Sequence, residues 1–178
     1  AWNREEVDFL NIAIPTKKER ISSNYFAIRD PSEQMNAIDY DLCFQDVHTD
    51  VLLGLCKVAK SVTKKLVGVF YGYTWTGFLR GFYMQNAGHL ALHRVLRSPY
   101  VDFLASPCDY ENRILGGASY SQSVPESAIL HDKLFLSEVD PKTSLTDPDL
   151  KWHHLEDFRP RTAGETVELL KRSYAYSH

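Results

Sequence analysis

The sequence has no surplus of charge of either sign, because 20 Lys and Arg against 23 Asp and Glu leave a formal net charge of −3. A chain without a basic surplus has little with which to neutralise nucleic-acid phosphates, so we expect no nucleic-acid partner. No apolar run approaches the roughly 18 residues of a membrane span, and the basic-then-apolar order of a signal peptide is missing. We therefore expect no membrane partner and a soluble protein.

Cysteine is scarce as well, with Cys43, Cys56 and Cys108 an odd number at wide spacing. This pattern fits reduced thiols better than a disulfide framework or a paired-cysteine metal site. Reduced thiols slightly favour a cytoplasmic protein. The chain begins at Ala1 without an initiator Met, so a processed, exported parent is the alternative.

Two common kinds of cofactor motif are also lacking. Gly116-Gly117 has neither the spacing of a dinucleotide-binding fingerprint nor a following Lys-Ser/Thr, which argues against a nucleotide-binding domain. His89 and His93 stand four apart on a predicted helix, but no Glu of a zinc motif lies between them and no third ligand is evident. We therefore expect neither a metal nor another cofactor.

What the sequence does contain is the composition of one globular domain, residues 1–178, with 44% hydrophobic residues. Three apolar runs, at 66–73, 101–107 and 133–140, are each followed by a loop and a helical pattern. Runs of this kind are typical of parallel strands that are covered on both faces. The last run ends its apolar residues at Glu138.

One long helix is predicted ahead of the first run. Residues 1–30 read as a loop-rich lead-in, after which Asp30 and Pro31 supply a cap and a first helical residue, with Glu33 as the capping-box acid. The helix should reach about Ser61. Shorter helices are predicted from Ala87, at Ser123–Glu126 and behind Thr162–Glu165. The long helix should pack on the sheet through an apolar stripe of Phe44, Val47, Val51, Leu55 and Val58, widened by Leu52, Cys56 and Ala59.

Alternating strands and helices of this kind form either a doubly wound sheet or a closed barrel. Three strands are too few for either, so the chain should be part of a larger α/β domain. The carboxyl ends of parallel strands share one edge, where the loops converge. Glu138 should stand at this edge, with Asp140 two residues further on.

Several segments match a pattern known from one enzyme family. They are the lead-in Ala1-Trp2-Asn3, a helix motif of Asp39-Tyr40, Phe44 and Asp46, a strand at 101–104 followed by Ser106-Pro107 and Tyr110, and a strand from Leu134 to Glu138. Through them the chain resembles the second half of the catalytic barrel of β-galactosidase-like glycoside hydrolases, grouped as family forty-two in the clan of retaining (β/α)₈ enzymes.

The resemblance implies a partial TIM barrel, about strands five to seven with their helices, and a galactoside-like carbohydrate substrate. Glu138, on strand seven, would be the catalytic nucleophile. The acid/base of the family would lie on strand four, before Ala1, and strand eight after His178, so we expect this chain alone to turn over little. Val139-Asp140 differs from the family pattern after the nucleophile, so substrate preference does not carry over. The residues that would bind substrate are Tyr71, Tyr73, Trp75, Ser106, Tyr110 and Asp140.

Other interpretations stay open. Glu138 could be a structural acid that caps a helix or pairs with Lys142, and Asp109 and Glu111 are alternatives for a second catalytic carboxylate. The chain could also be a non-catalytic binding or assembly module, pairing with itself or with a missing barrel half. Uncovered edges of a parallel sheet require a partner in either case.

Overall fold

The computed structural model describes residues 8, 10–22, 28–73, 85–108, 114–118, 120–147 and 159–176. These residues have the mixed α/β architecture that the sequence predicts. Their elements, in chain order, are α1 (Lys17–Ile21), α2 (Pro31–Val62), β1 (Gly68–Phe70), α3 (Leu92–Leu96), β2 (Phe103–Pro107), α4 (Pro125–Ile129), β3 (Leu134–Glu138) and α5 (Ala163–Tyr176).

The three strands form one parallel sheet in the order β1-β2-β3. Val69 pairs with Leu104, and Leu104 pairs with Phe135, so the three side chains form a row across the sheet. All three strands were predicted, although each is shorter than its apolar run. Strand order follows chain order because each connection returns the chain to the edge of the strand just formed.

In the part of the chain that the structure describes, helices cover one face of this sheet and leave the other uncovered. The row of Val69, Leu104 and Phe135 packs against α2, α3 and α4 in a single hydrophobic core, in which Leu104 is 1% exposed. On the other face Phe70, Leu134 and Leu136 are 50% to 60% exposed. The prediction that these strands are covered on both faces is therefore wrong for β1 and β3, whereas on the central strand β2 Ala105, in the same row as Phe70 and Leu136, is 6% exposed. We call these two surfaces the covered face and the open face.

The long helix α2 begins where predicted, with Asp30 as its N-cap, and ends within one residue of the predicted Ser61. Asp30 accepts a hydrogen bond from the Ser32 backbone N–H at 2.8 Å, Pro31 begins the helix and Val62 ends it. Its predicted packing face is wrong, however. The predicted stripe of Phe44, Val47, Val51, Leu55 and Val58 is exposed, whereas the buried residues are Ala37, Asp41, Gln45, Thr49 and Cys56.

Hydrogen bonds explain why a largely polar face of α2 is the buried one. The Gln45 side chain donates to the Gln85 carbonyl at 2.6 Å and accepts from the Leu90 N–H at 2.9 Å. Near the C-terminal end of α2, Lys60 forms an ion pair with Asp102, the residue before β2. Buried polar groups are tolerated when they are satisfied in this way. Of the predicted stripe, Leu52 and Cys56 do contact the core.

The remaining helices are short, apart from α5. The lead-in contains α1, which the sequence reading missed although Thr16 and Glu19 form a capping box there. The α3 helix begins at Leu92 and not at Ala87. Glu165 accepts from the Thr162 N–H and donates its own N–H to Thr162 Oγ1, so the capping box of α5 is confirmed. Among the described residues, no helix combines the length and the apolar character needed to cross a membrane.

Candidate functional site

The candidate site lies at the carboxyl edge of the sheet, where β2 and β3 end side by side. Pro107 at the end of β2 pairs with Glu138 at the end of β3. The Cys108 N–H, one residue beyond β2, donates to the Glu138 carbonyl oxygen at 3.3 Å. Pairing with β2 and the bond from Cys108 therefore hold the backbone of β3 as far as Glu138, its last residue.

Glu138 is exposed and belongs to the open face. Exposure alternates along β3, with Leu134, Leu136 and Glu138 exposed and Phe135 and Ser137 partly buried. Because successive side chains of a strand point to opposite faces, Glu138 shares its face with the two exposed leucines. No hydrogen bond or ion pair joins its carboxylate to another described residue, so the predicted alternative of a Lys142 ion pair is not formed in this part of the chain.

A return segment at Tyr120–Val124 closes against the end of β2. Ser121 forms an isolated antiparallel bridge with Cys108. The Gln122 N–H donates to the Pro107 carbonyl at 3.1 Å, and its side-chain amide donates to the Cys108 carbonyl at 3.1 Å. Gln122 is 2% exposed, and it was not predicted, because a glutamine between two serines is an ordinary loop residue. Nothing in the sequence would have found it.

Two of the predicted sugar-binding residues lie on the covered face. Tyr71 is fully buried, with its hydroxyl 2.8 Å from Thr49 Oγ1, and burial raises its pKa. Ser106 is also fully buried. It pairs with Ser137, which lies on the covered face of β3. The structure therefore does not bring Tyr71 and Ser106 onto the face that carries Glu138.

Tyr73 follows the end of β1 and stacks on His89, with ring centroids 4.6 Å apart and ring planes 7° from parallel. His89 also contacts Tyr71, at 5.1 Å between centroids, and lies 6.2 Å from the His48 ring. Burial, and secondly the proximity of His48, lower the pKa of His89 to about 4, so its imidazole is neutral near pH 7. These rings form a partly buried aromatic surface beside the end of β1.

The other predicted site residues divide between the surface and the undescribed segments. Asp140 is exposed, two residues beyond Glu138. Trp75 and Tyr110 lie outside the described residues, as do the alternative carboxylates Asp109 and Glu111. Within the described ranges, no group of three or more His, Cys, Asp or Glu side chains is arranged to hold a metal ion.

Comparison of the chain with protein-family models, with curated proteins and with solved structures gives no match. The site must therefore be interpreted from its own geometry. That geometry is an exposed carboxylate, fixed at the carboxyl end of a parallel strand and aligned with apolar side chains on a face that no described helix covers.

A second crevice, of about 310 Å³, lies between the first half of α2 and the segment at 85–93. Asp41 lines it, and burial raises the Asp41 pKa while the Arg29 guanidinium opposes that rise. Arg29 Nε is 3.4 Å from Asp41 Oδ2, close enough for an ion pair, but its N–H donates to Gln85 Oε1 at 3.1 Å. The other Arg29 nitrogens bind backbone carbonyls of Glu19, Arg20 and Ser22. Through these contacts Arg29 joins the α1 segment to α2.

Proposed function

We propose that the described sheet is the strand-five to strand-seven part of a (β/α)₈ barrel, and that the protein containing it is a retaining, β-galactosidase-like glycoside hydrolase. Three features support this proposal. The strands are parallel and adjacent in chain order, the helices between them lie on one face, and the opposite face is apolar. A barrel requires this division, because its helices form an outer ring while inward side chains fill the interior.

The observation that carries the proposal is the place of Glu138. It stands at the carboxyl end of β3, on the open face and in line with Leu134 and Leu136. In a barrel this is the inner wall at the mouth, where catalytic residues of (β/α)₈ enzymes are found. A structural acid would pair with a basic neighbour, and Glu138 has no such partner among the described residues.

In the proposed reaction, Glu138 acts as a nucleophile. A retaining glycosidase places two carboxyl groups about 5 Å apart. The Glu138 carboxylate would attack the anomeric carbon while the bond to the aglycone oxygen breaks and a second carboxylic acid protonates that oxygen. Water would then cleave the glycosyl ester, with the second group acting as base. The role of this chain is to fix the angle of attack by holding the carboxylate at a strand end.

The sugar-binding surface of the proposal includes Tyr73 and Asp140, together with Trp75 and Tyr110 from the undescribed segments. Tyr73 supplies an aromatic ring at the end of β1, already stacked on His89. Aromatic rings cover the apolar face of a pyranose well because both surfaces are flat and weakly polar. The acid/base is expected on an upstream strand, so the isolated chain should hydrolyse glycosides slowly or not at all.

The test uses the complete protein that contains this chain and an aryl β-galactoside. Glu138→Gln should lower kcat by about a thousandfold or more, because covalent catalysis is lost. Glu126→Gln, at an exposed acid in the first turn of α4, is the matched control and should keep the wild-type rate. A variant Glu138→Ala supplied with azide should release a glycosyl azide of inverted anomeric configuration, because azide then attacks from the side that Glu138 vacated.

Two results would contradict this assignment. Full activity of the Glu138→Gln variant would exclude Glu138 as nucleophile. A glycosyl azide of retained configuration would instead give Glu138 the acid/base role, since the true nucleophile would still turn over in that variant.

A second candidate function is a binding or assembly module without catalysis, and the exposed apolar surfaces favour it. The open face of the sheet and the exposed stripe of α2 together leave many large apolar side chains in water, which marks a surface for another chain. The missing barrel half or a second copy could cover them. A chain that forms a stable dimer, and that gives no hydrolysis even within the complete protein, would favour this function.

A further inference from the structure

We propose that Gln122 is a positioning residue that fixes the end of β2 and, through it, the backbone of Glu138. The inference rests on the proposed function, because it assigns Gln122 a part in aligning the nucleophile. It concerns a residue that belongs to neither strand and that bonds the end of β2.

The contacts of Gln122 hold the chain at two successive carbonyls. Its backbone N–H donates to the Pro107 carbonyl and its side-chain amide donates to the Cys108 carbonyl, both at 3.1 Å. These carbonyls stand at the last residue of β2 and the first residue after it. The bonds are shielded from water, since Gln122 is 2% exposed and Cys108 is 8% exposed.

Cys108 transmits this constraint to β3. Its carbonyl is held by Gln122, while its N–H donates to the Glu138 carbonyl at 3.3 Å. Its thiol also lies 3.7 Å from the Ser137 hydroxyl. The return segment, Cys108 and Glu138 therefore form a continuous chain of hydrogen bonds. Without the Gln122 side chain, Cys108 would keep its bond to Glu138 and its bridge to Ser121 but would lose the buried amide that holds its carbonyl.

Small displacements matter at this position. A nucleophile must stand at about 3 to 3.5 Å from the carbon it attacks, and an error of about 1 Å costs on the order of a hundredfold in rate. Strand ends fray because their last hydrogen bonds are the most exposed. A buried amide that holds the neighbouring strand end suppresses this motion. Glutamine fits because it donates to a carbonyl without bringing a charge into a buried site.

The first experiment replaces Gln122 by Leu in the complete protein. The matched control is Gln45→Leu, which removes another buried glutamine whose side chain bonds backbone groups, but in α2. We expect kcat of Gln122→Leu to fall about tenfold to a hundredfold with KM changed less than about threefold, because alignment is lost while sugar binding is kept. Gln45→Leu should keep kcat at the wild-type value in the fraction that remains folded.

Hydrogen exchange provides a readout that does not depend on activity. In Gln122→Leu the Cys108 amide should exchange about fivefold faster than in the wild type, because its hydrogen-bonded position is no longer fixed. In Gln45→Leu the Cys108 amide should exchange at the wild-type rate. This comparison separates a local loosening at the strand end from a general loss of stability.

Gln122→Glu tests the hydrogen bond itself through its pH profile. An ionised Glu cannot donate to the Cys108 carbonyl, whereas a protonated Glu can. Activity relative to the wild type should therefore rise as the pH falls toward about 5, since burial lifts the pKa of an introduced acid above its usual value of about 4.3. A merely structural role would give a ratio that is flat with pH.

The outcomes are distinguishable. If exchange at Cys108 quickens but kcat stays at the wild-type value, the positioning role is wrong and the proposed function stands. If Cys108 exchange does not change in Gln122→Leu, the proposed constraint is wrong whatever the activity. If the wild type hydrolyses no glycoside, the positioning role of Gln122 falls together with the proposed function, while the exchange result still reports on the constraint.

Discussion

The two faces of the sheet are built from similar residues and have different surroundings. On the covered face, Val69 and Leu104 are 7% and 1% exposed, and Tyr71, just beyond β1, is fully buried. On the open face, Phe70 and Leu136 are 60% and 50% exposed. Hydrophobicity alone does not distinguish the two sets. What differs is that α2, α3 and α4 pack on one of them.

The covered face stabilises the fold, whereas the open face carries the candidate site. Side chains of the covered face are fixed by packing and contribute to folding of the chain itself. The open face is apolar along the strands and then changes to a carboxylate, Glu138, at the carboxyl end of β3. Under the proposed function, this apolar surface would line the barrel interior and Glu138 would stand at its mouth. Substitutions matched between the two faces test this difference.

The largest effect is expected from truncating the same residue on each face. Leu104→Ala, at the centre of the covered face, should lower the free energy of unfolding of this chain by about 2 to 5 kcal/mol, because it leaves a cavity. Leu136→Ala, on the open face, should cost less than about 1.5 kcal/mol, since half of that side chain is already in water. Urea unfolding of both variants measures the difference.

The same pair of substitutions in the larger protein of the proposed function tests whether the open face is covered there. If a barrel interior covers the open face, Leu136→Ala should then cost as much as Leu104→Ala. Equal costs in this chain alone would mean that the open face is already buried, and the distinction between the two faces would be lost.

The next effect concerns Gly68, which lies on the open face directly against the Phe103 ring. A Cβ added to Gly68 would lie 2.1 Å from the Phe103 ring, so Gly68→Ala should cost about 1 to 3 kcal/mol through overpacking. Gly54→Ala is the control. A Cβ at Gly54, inside α2, would meet no atom within 4 Å, and the change should stabilise the helix by about 0.5 to 1 kcal/mol. If both substitutions are harmless, the Phe103 ring moves aside and the open face is loosely ordered.

Only some features of this fold could be predicted from the sequence. The three strands, the end of β3 at Glu138 and the bounds of α2 were predictable, because apolar runs and capping residues are local signals. The orientation of α2 was not. Its buried residues Asp41, Gln45 and Thr49 are chosen by partners distant in the chain, such as Arg29, Gln85 and Tyr71. A helical stripe of valines gives no sign that a polar stripe will be preferred.

The candidate site shows the same limit. Glu138 could be found because a carboxylate at the end of an apolar run is visible in the sequence. Tyr71 was predicted at the sugar surface, whereas it lies in the core, because residues next to each other at a strand end point to opposite faces and the phase of that alternation depends on the sheet. Gln122 could not be found, since its role depends on a contact with Cys108 across 14 residues.

A smaller effect is expected from pH at the carboxyl edge of the covered face. Because burial lowers the pKa of His89 to about 4 from a usual 6.5, the folded state holds it neutral. The neutral His89 imidazole stabilises the fold fully above pH 6.5. This stabilisation is lost as the pH falls from 6.5 through 4, because the unfolded state binds the proton at a higher pH than the folded state does. Partial solvent contact reduces the expected loss to about 1 to 2 kcal/mol.

His89→Phe keeps a ring against Tyr73 and should remove this acid-dependent loss. His93→Phe, at an exposed position on α3, is the matched control for the exchange of His for Phe. Urea unfolding between pH 7 and pH 4 measures both. An unchanged pH dependence in His89→Phe would mean that His89 is freely hydrated and that the stacked rings do not exclude water.

The smallest effect is expected from the hydrogen bond between Tyr71 and Thr49. Tyr71→Phe should cost about 1 kcal/mol, because the ring still fills the core and the Thr49 hydroxyl keeps its bond to the Gln45 carbonyl at 2.7 Å. Burial raises the Tyr71 pKa, so the wild type should lose stability as the pH rises above about 10, where the unfolded state ionises first. Tyr71→Phe should lose less over that range. Thr49→Val combined with Tyr71→Phe closes a double-mutant cycle, and a coupling energy near zero would mean that this bond does not help to fix α2 on the covered face.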